Sequence, residues 1–142
     1  MDFCGALYNW YAVNDSRNIA PAGWHVPTDE EWKQLEMFLG LSRTEADQAG
    51  WRGTDEGGKM KETRLWNSPN TGATNESGFS ALPGGYRVGT GAYYGDMVWA
   101  AYFWSSTEQG SYGGWDRYLP CNTSGVTRNS YYKRSGFSVV GV

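Results

Sequence analysis

The aromatic content of the chain restricts its possible folds more than any other sequence feature. Its 142 residues include 8 Trp, 10 Tyr and 5 Phe, whereas disordered chains carry few aromatic residues. The 20 Gly residues indicate many turns between short elements. These features predict a loop-rich folded domain anchored by large aromatic side chains. A length of 142 residues suits one domain, spanning residues 1–142.

The charge balance argues against several classes of partner. The formal net charge is -3 and the pI is near 5.1, so the basic patch typical of nucleic-acid or anionic-membrane binding is not expected. No apolar run approaches the length of a membrane-spanning helix. Residues 1–6 show neither the basic start nor the apolar core of a signal peptide. Either the protein stays where it is made, or a leader or larger partner segment precedes these residues.

Helix-capping signals predict two helices in the first third of the chain. Thr28 followed by Glu31 has the pattern of a capping box. The apolar residues that follow recur at helical spacing: Trp32, Leu35 and Leu39. Ser42 and Glu45 repeat the capping signal, which predicts a short second helix ending near Gln48.

Short strands and long turns are predicted for the rest. Residues 6–13 have the character of a first strand and residues 137–142 that of a last strand. Residues 51–95 are rich in Gly, Asn, Pro and Ser and predict loops. Core positions in the last third are expected at its large apolar residues: Trp104, Trp115, Leu119, Val126 and Phe137. The fold class is therefore α+β.

Catalytic signatures are scarce. The single histidine, His25, lies between a Trp and a Val, a setting more typical of a structural residue than of a general base. Asp55 and Glu56 match no calcium loop, and a solvated turn is predicted there. Two cysteines, Cys4 and Cys121, are too few for a structural zinc site. The sequence does not decide whether they form a disulfide bond with each other. We therefore expect no enzyme, no metal and no cofactor.

Strand alternation divides the last third into two faces. One set is expected to anchor the sheet: Trp115, Arg117, Leu119, Val126 and Arg128. The intervening set is expected to be displayed: Asp116, Tyr118, Pro120, Thr127, Asn129 and Tyr131. The displayed residue types are those of an antibody paratope. A solvated sheet face that binds nothing is the alternative, and composition does not separate the two.

Longer motifs run in order along nearly the whole chain. They are LYNWYAV at 7–13, APAGWHVP at 20–27, WNSPNTGATNESGF at 66–79, ALPGGYR at 81–87, FWSSTE at 103–108 and KRSGFSV at 133–139. These motifs resemble the Fibrobacter succinogenes major paralogous domain, which is similar to the formylglycine-generating-enzyme branch of the C-type lectin fold. The resemblance implies two helices flanking small twisted antiparallel sheets, with the N- and C-terminal strands paired.

The same resemblance implies a region of sequence diversification. Domains of this branch serve as variable proteins of diversity-generating retroelements, in which a reverse transcriptase mutates adenines copied from a template repeat. Asparagine codons are the usual targets, and their products include Tyr, Ser, Asp, Gly, Thr, Cys and Pro. The implied variable region is about 104–137, and its ligand-binding positions are Ser111, Tyr112, Asp116, Tyr118, Pro120, Cys121, Asn122, Thr123, Thr127, Asn129, Tyr131, Tyr132 and Ser135.

Gly113, Gly125 and Ser130 also belong to the permitted types, and the residues interleaved with these positions look like a fixed frame. They are Trp115, Arg117, Leu119, Val126, Arg128, Lys133 and Arg134. Gln109 lies outside the permitted set and is either fixed or evidence against diversification. Cys121 would be a sampled residue, so we do not expect it to pair with Cys4. The chain lacks the calcium-ligand loop of the sugar-binding lectins and the larger domain of the formylglycine-generating enzymes, so neither activity is carried over.

The resemblance thus implies a non-enzymatic ligand-binding domain displayed on a cell surface or a virion. Its partner would be a protein or a glycan on a target surface, with no nucleic acid and no direct membrane insertion. One alternative is a fixed-sequence adhesive or structural module of a larger bacterial surface protein. Another is a carbohydrate-active enzyme or a formylglycine-type oxidase. The oligomeric state and the identity of the ligand stay open.

Overall fold

The computed structural model describes residues 4–91 and 93–142 and has a mixed α+β fold. Along these residues four helices form: α1 (Trp10–Val13), α2 (Asp29–Leu39), α3 (Arg43–Asp47) and α4 (Glu56–Met60). The strands along the same residues are β1 (Gly50–Arg52), β2 (Tyr86–Arg87), β3 (Tyr94–Gly95), β4 (Ala100–Gln109), β5 (Gly113–Pro120) and β6 (Val126–Tyr132). No helix in this part of the chain is long and apolar enough to cross a membrane.

The strands form two antiparallel sheets. The larger has the order β1-β6-β5-β4, and the smaller pairs β2 with β3. In the larger sheet Arg117 lies opposite Phe103 and Arg128. Because directly opposite residues share a face, these three define the face that packs against α2, called here the helix-side face. Tyr118 lies opposite Tyr102, and these two belong to the reverse side, called here the far face.

The two predicted helices are confirmed. Thr28 caps α2, with its side chain accepting from the Glu31 N–H while the Glu31 carboxylate accepts from the Thr28 N–H. The helix ends at Gly40, whose φ of 138° is a backbone conformation that favours glycine. Ser42 and Glu45 form the same capping box at the start of α3. Each helix therefore begins where its local signal predicts.

The predicted first and last strands are wrong as extended elements. The Asn9 side chain accepts from the Ala12 N–H and begins α1 at Trp10. The buried Trp10 ring donates its indole N–H to the Ser105 carbonyl at 3.0 Å, which holds this turn against β4. Chain pairing between the ends is reduced to an antiparallel bridge between Tyr8 and Phe137.

The core has two clusters, one on each side of the larger sheet. Beneath α2 lie Trp32, Leu39, Leu41, Ala46, Met60, Ala81, Ala101, Phe103, Leu119 and Val126. The second cluster contains Trp10, Val13, Val26, Trp104 and Phe137. The predicted core positions Trp104, Leu119, Val126 and Phe137 are confirmed as buried. Trp115 is only partly buried, so that prediction is wrong. Its ring lies 3.6 Å from the Arg128 guanidinium, which covers it in place of a hydrophobic neighbour.

Candidate functional site

The helix-side face is held to α2 by a buried ionic network. Arg117 donates to Asp29 at 2.8 Å and also to Glu36. Arg128 donates to Asp29 at 2.7 Å, and Arg52 donates to Glu36 at 2.8 Å. Burial raises the pKa of Asp29, but the Arg128 hydrogen bonds and the Arg117 charge lower it to about 2. Two carboxylates and three guanidinium groups therefore fix β1, β5 and β6 to one helix.

The other frame residues differ in exposure. Lys133 is buried, donates to the Glu108 carboxylate and to the Ser111 carbonyl, and lies over the Trp10 ring. Arg134, next in the chain, is exposed. The expected frame is thus buried at Arg117, Arg128 and Lys133, and open to solvent at Arg134.

Aromatic contacts extend across the far face. Ring centroids are 5.8 Å apart for Trp51 and Tyr118, 4.7 Å for Tyr118 and Tyr102, and 5.0 Å for Tyr102 and Phe137. Tyr131 continues this series, with its ring 5.3 Å from that of Phe137. Tyr118, expected at the ligand surface, is consequently half-buried by packing within the protein.

Two expected surface residues lie buried on the far face. Asp116 is fully buried and Thr127 is 3% exposed, so the prediction that they are displayed is wrong. Asp116 lies opposite Trp104 and Asn129 in the ladder, and the intermediate exposure of Asn129 places it at the margin of this face. Alternation identifies the two faces correctly, but it does not reveal that both are covered.

The Asp116 carboxyl has no partner. Neither of its oxygens accepts a hydrogen bond from any residue that the structure describes. Burial raises the pKa of Asp116 well above its ordinary value, and the adjacent Arg117 charge offsets this only in part. Since a neutral carboxyl is less costly to bury than a carboxylate, Asp116 is expected to stay protonated in the folded chain.

The turn between β5 and β6 is held in place by the body of the protein. The buried Lys61 ammonium donates to the carbonyls of Thr71, Pro120 and Thr123 at 2.9, 3.2 and 2.8 Å. Pro120 and Cys121 are buried, so the prediction that they are displayed is wrong. Cys121 and Cys4 are both free thiols.

The expected positions at this turn are separated from the others along the sheet. Asn122 is exposed and Thr123 is half-buried. The eight residues of β5, at about 3.3 Å per residue, place this turn roughly 25 Å from the opposite end of the strand. The expected ligand positions therefore do not form one patch.

At that opposite end, four expected positions come together in a depression. Ser111 and Tyr112 lie in the turn between β4 and β5, and Tyr131 and Tyr132 end β6. These four residues line a cavity of about 450 Å³, which adjoins a larger cavity of about 700 Å³. Tyr112, Tyr131 and Tyr132 line both cavities. Tyr112 is 80% exposed, Tyr132 73% and Tyr131 44%. Ser135 borders the larger cavity but is itself buried, so the prediction that it is displayed is wrong.

Residues from other segments complete this depression, called here the tyrosine trough. It is lined by Tyr11, Tyr86, Val88, Tyr112, Tyr131 and Tyr132. Tyr11 comes from α1 and Tyr86 from β2, and neither belongs to the expected ligand positions. Both lie in the motifs quoted above, at 7–13 and 81–87, but nothing in those motifs indicates that they meet the end of β6. The trough combines exposed rings with phenol hydroxyls, so it can bury apolar groups and exchange hydrogen bonds.

The remaining polar candidates lie apart from the trough. The His25 Nε2 is 2.8 Å from the Glu31 carboxylate, and both side chains are partly open to solvent. Glu56 is buried and accepts from the N–H groups of Thr54 and Asp55, so a purely solvated turn was a wrong prediction there. No cluster of three His, Cys, Asp or Glu that could hold a metal occurs within residues 4–91 and 93–142.

Comparison with known proteins identifies the sequence family. The Fibrobacter succinogenes major domain family matches residues 1–140, which confirms the resemblance drawn from the motifs at the level of the family. Searches of the curated proteins and of the solved structures found no match.

Proposed function

Because the chain belongs to the Fibrobacter succinogenes major domain family, we propose that it is a non-enzymatic ligand-binding domain on a C-type lectin-like scaffold. Its partner is a protein or a glycan on a target surface, and the domain is displayed on a cell surface or a virion. A diversity-generating retroelement varies its contact residues through adenine mutagenesis. The tyrosine trough is where the ligand binds.

The observation that carries this proposal is the convergence of exposed tyrosines in one concave place. Tyr112 comes from the turn between β4 and β5, Tyr131 and Tyr132 end β6, and the three line a shared depression. Tyrosine supplies rigid contact area at low entropic cost, which explains its frequency in paratopes. Truncating a central interface tyrosine costs roughly 2 kcal/mol or more where it acts as a hot spot.

A second observation supports the proposal: the residues that stabilise the sheet are different from those that would contact a ligand. Arg117 and Arg128 are anchored to α2 from the helix-side face, whereas Tyr112 and Tyr132 project into solvent at the end of the same strands. A surface that samples many side chains needs such an arrangement, since most substitutions at buried positions destabilise a fold.

Population sequencing of the 3′ end of this gene and its flanking DNA tests the proposal. We expect a nearby near-copy of the segment encoding residues 104–137, differing at adenines and accompanied by a reverse-transcriptase gene. The variable codons should include those of Ser111, Tyr112, Tyr131 and Tyr132. The absence of a copy, together with invariant codons at these positions, would overturn diversification.

A fixed-sequence adhesive module of a larger surface protein is the second candidate. One observation favours it: several residues of the types that adenine mutagenesis produces are buried, where free variation would damage packing. They are Asp116, Pro120, Cys121, Thr127 and Ser135. Tyr11 and Tyr86 also line the trough from outside the expected variable region. Invariant trough codons combined with ligand binding would select this candidate.

A further inference from the structure

The last residues of β6 form an open edge of the larger sheet. β1 covers β6 only as far as Arg128, which lies opposite Gly50. From Asn129 to Tyr132 the strand is paired with β5 on one side alone. At about 3.3 Å per residue these four residues present an edge of roughly 13 Å.

The register shows which backbone groups point away from β5. The Lys133 N–H donates to the Tyr112 carbonyl across the β5–β6 ladder. In an antiparallel ladder the direction of these groups alternates, so the groups of Ser130 and Tyr132 point outward. The Tyr132 carbonyl accepts from the Ser135 N–H. The Ser130 N–H, the Ser130 carbonyl and the Tyr132 N–H have no partner within residues 4–91 and 93–142.

The opposite edge of the same sheet is treated differently. Along β4, the Trp104 N–H donates to the Ser138 carbonyl and the Ser138 N–H donates to the Tyr102 carbonyl. The Ser106 N–H donates to the Pro27 carbonyl at 2.8 Å. Proteins usually cover or block an edge strand because it can pair with another chain. β4 is covered in this way, whereas Ser130 is exposed and is flanked by neither Pro nor Lys.

We propose that the ligand is an extended polypeptide segment that pairs with the Ser130–Tyr132 edge of β6 and places alternate side chains in the tyrosine trough. This proposal rests on the proposed function, and it commits to a protein ligand in preference to a glycan. The open edge offers two donors and one acceptor at the spacing of a β-strand, which an extended polypeptide backbone matches. The edge and the trough are continuous, since Ser130, Tyr131 and Tyr132 all line the depression.

In this arrangement the backbone contacts supply affinity and the trough side chains supply specificity. Backbone pairing at Ser130 does not depend on the side chain there, so it persists when trough residues change. The neighbouring Tyr112, Tyr131 and Tyr132 then select which side chains fit. A diversified surface with a constant backbone contact keeps a minimum affinity for extended segments while its specificity changes.

The test leaves the protein unaltered and modifies the probe. A phage-displayed library of random linear 12-residue peptides is selected on the full chain, and a selected peptide is resynthesised with single N-methyl groups along its backbone. N-methylation of the peptide amide that donates to the Ser130 carbonyl should lower the affinity about tenfold, because it removes that backbone hydrogen bond. Methylation of the amides on either side of it, which point away from β6, should have little effect. Affinities are measured by titration calorimetry.

The rate of hydrogen exchange at individual backbone amides of the isotope-labelled chain supplies an independent measurement. Peptide binding should slow exchange at the Ser130 and Tyr132 amides at least tenfold. The Thr127 amide, which already faces β5 in the ladder, should be unchanged and is the matched control. One sensitive peptide amide between two insensitive neighbours, together with this protection pattern, would support the proposal.

The contrary outcomes separate this proposal from the proposed function. Peptides that depend on Tyr132, as shown with Tyr132→Ala, but have no amide whose N-methylation lowers the affinity would overturn strand pairing and leave the trough as the binding site. A glycan that binds in a Tyr132-dependent manner when no peptide is selected would do the same. Peptides that bind with neither dependence would overturn both.

Discussion

The helix-side face and the tyrosine trough both include residues of β6, yet their chemistry is opposite. On the helix-side face, Arg117 and Arg128 are buried and each bonds the Asp29 carboxylate. In the trough, Tyr112 and Tyr132 are largely exposed to solvent. One strand can therefore contribute to the stability of the fold along most of its length and to an adaptable surface at its end.

Breaking the ionic network should produce the largest loss of stability. Arg117→Met leaves the buried Asp29 and Glu36 carboxylates with fewer partners, and we expect a loss of about 3–5 kcal/mol in the free energy of unfolding. Urea denaturation measures it. Arg134→Met, at an exposed frame position, is the control and should change stability by no more than about 0.5 kcal/mol. Equal effects would mean that the network does not hold the sheet.

Removing the central ring of the second core cluster should have a similar effect. Trp104 is fully buried, and its ring lies 4.3 Å from that of Phe137. Trp104→Ala should lower the free energy of unfolding by about 3–5 kcal/mol, because the cavity is not filled. Trp99→Ala, at a residue 52% exposed, should lower the free energy of unfolding much less. Urea denaturation measures both variants. A small effect at Trp104 would indicate that the far-face packing is not required.

Asp116 should make the stability depend on pH. In the unfolded chain its pKa is near 3.8, and in the folded chain burial raises the pKa well above that value. As pH rises above about 4, the unfolded state loses this proton while the folded state keeps it. The contribution of Asp116 to stability therefore falls by about 1.4 kcal/mol per pH unit until the folded-state pKa is reached.

Asp116→Asn removes this dependence. The variant should match the wild type near pH 3.5 and become more stable than it as the pH rises from there toward the folded-state pKa, as measured by urea denaturation at each pH. A difference between the two proteins that stays constant with pH would show that Asp116 is ionised in the folded state.

The smallest expected effect on stability lies in the trough. Tyr112→Ala combined with Tyr132→Ala should change the free energy of unfolding by about 0.5 kcal/mol or less, since both side chains are largely exposed. The same double variant should lose binding to a peptide selected on the wild-type trough. Tyr118→Ala is the comparison, and its ring contacts with Tyr102 and Trp51 predict a larger loss of stability. A double variant as unstable as Tyr118→Ala would place these tyrosines in the fold.

The sequence predicts the parts of the fold whose causes are local. The capping boxes at Thr28 and Ser42 lie within three residues of their partners, so α2 and α3 begin where expected. The strand predicted at residues 6–13 fails because Trp10 is positioned by Ser105, which is far away in the chain. Contacts of that range leave no trace in local propensity.

The candidate site follows the same rule. Alternation predicts that Arg117 and Arg128 share a face, and the register confirms it. It does not predict that Asp116 and Thr127 are buried, because their cover comes from distant aromatic residues. The contributions of Tyr11 and Tyr86 to the trough depend on the packing of α1 and β2 at the end of β6.

The trough can change its side chains, whereas the buried residues of the frame cannot. Two libraries of the full chain test this difference, one randomised at Ser111, Tyr112, Tyr131 and Tyr132, and the other at Arg117, Leu119, Val126 and Arg128. The fraction of folded clones is measured by resistance to proteolysis. We predict that most clones of the first library and few of the second stay folded. Equal fractions would contradict the claim.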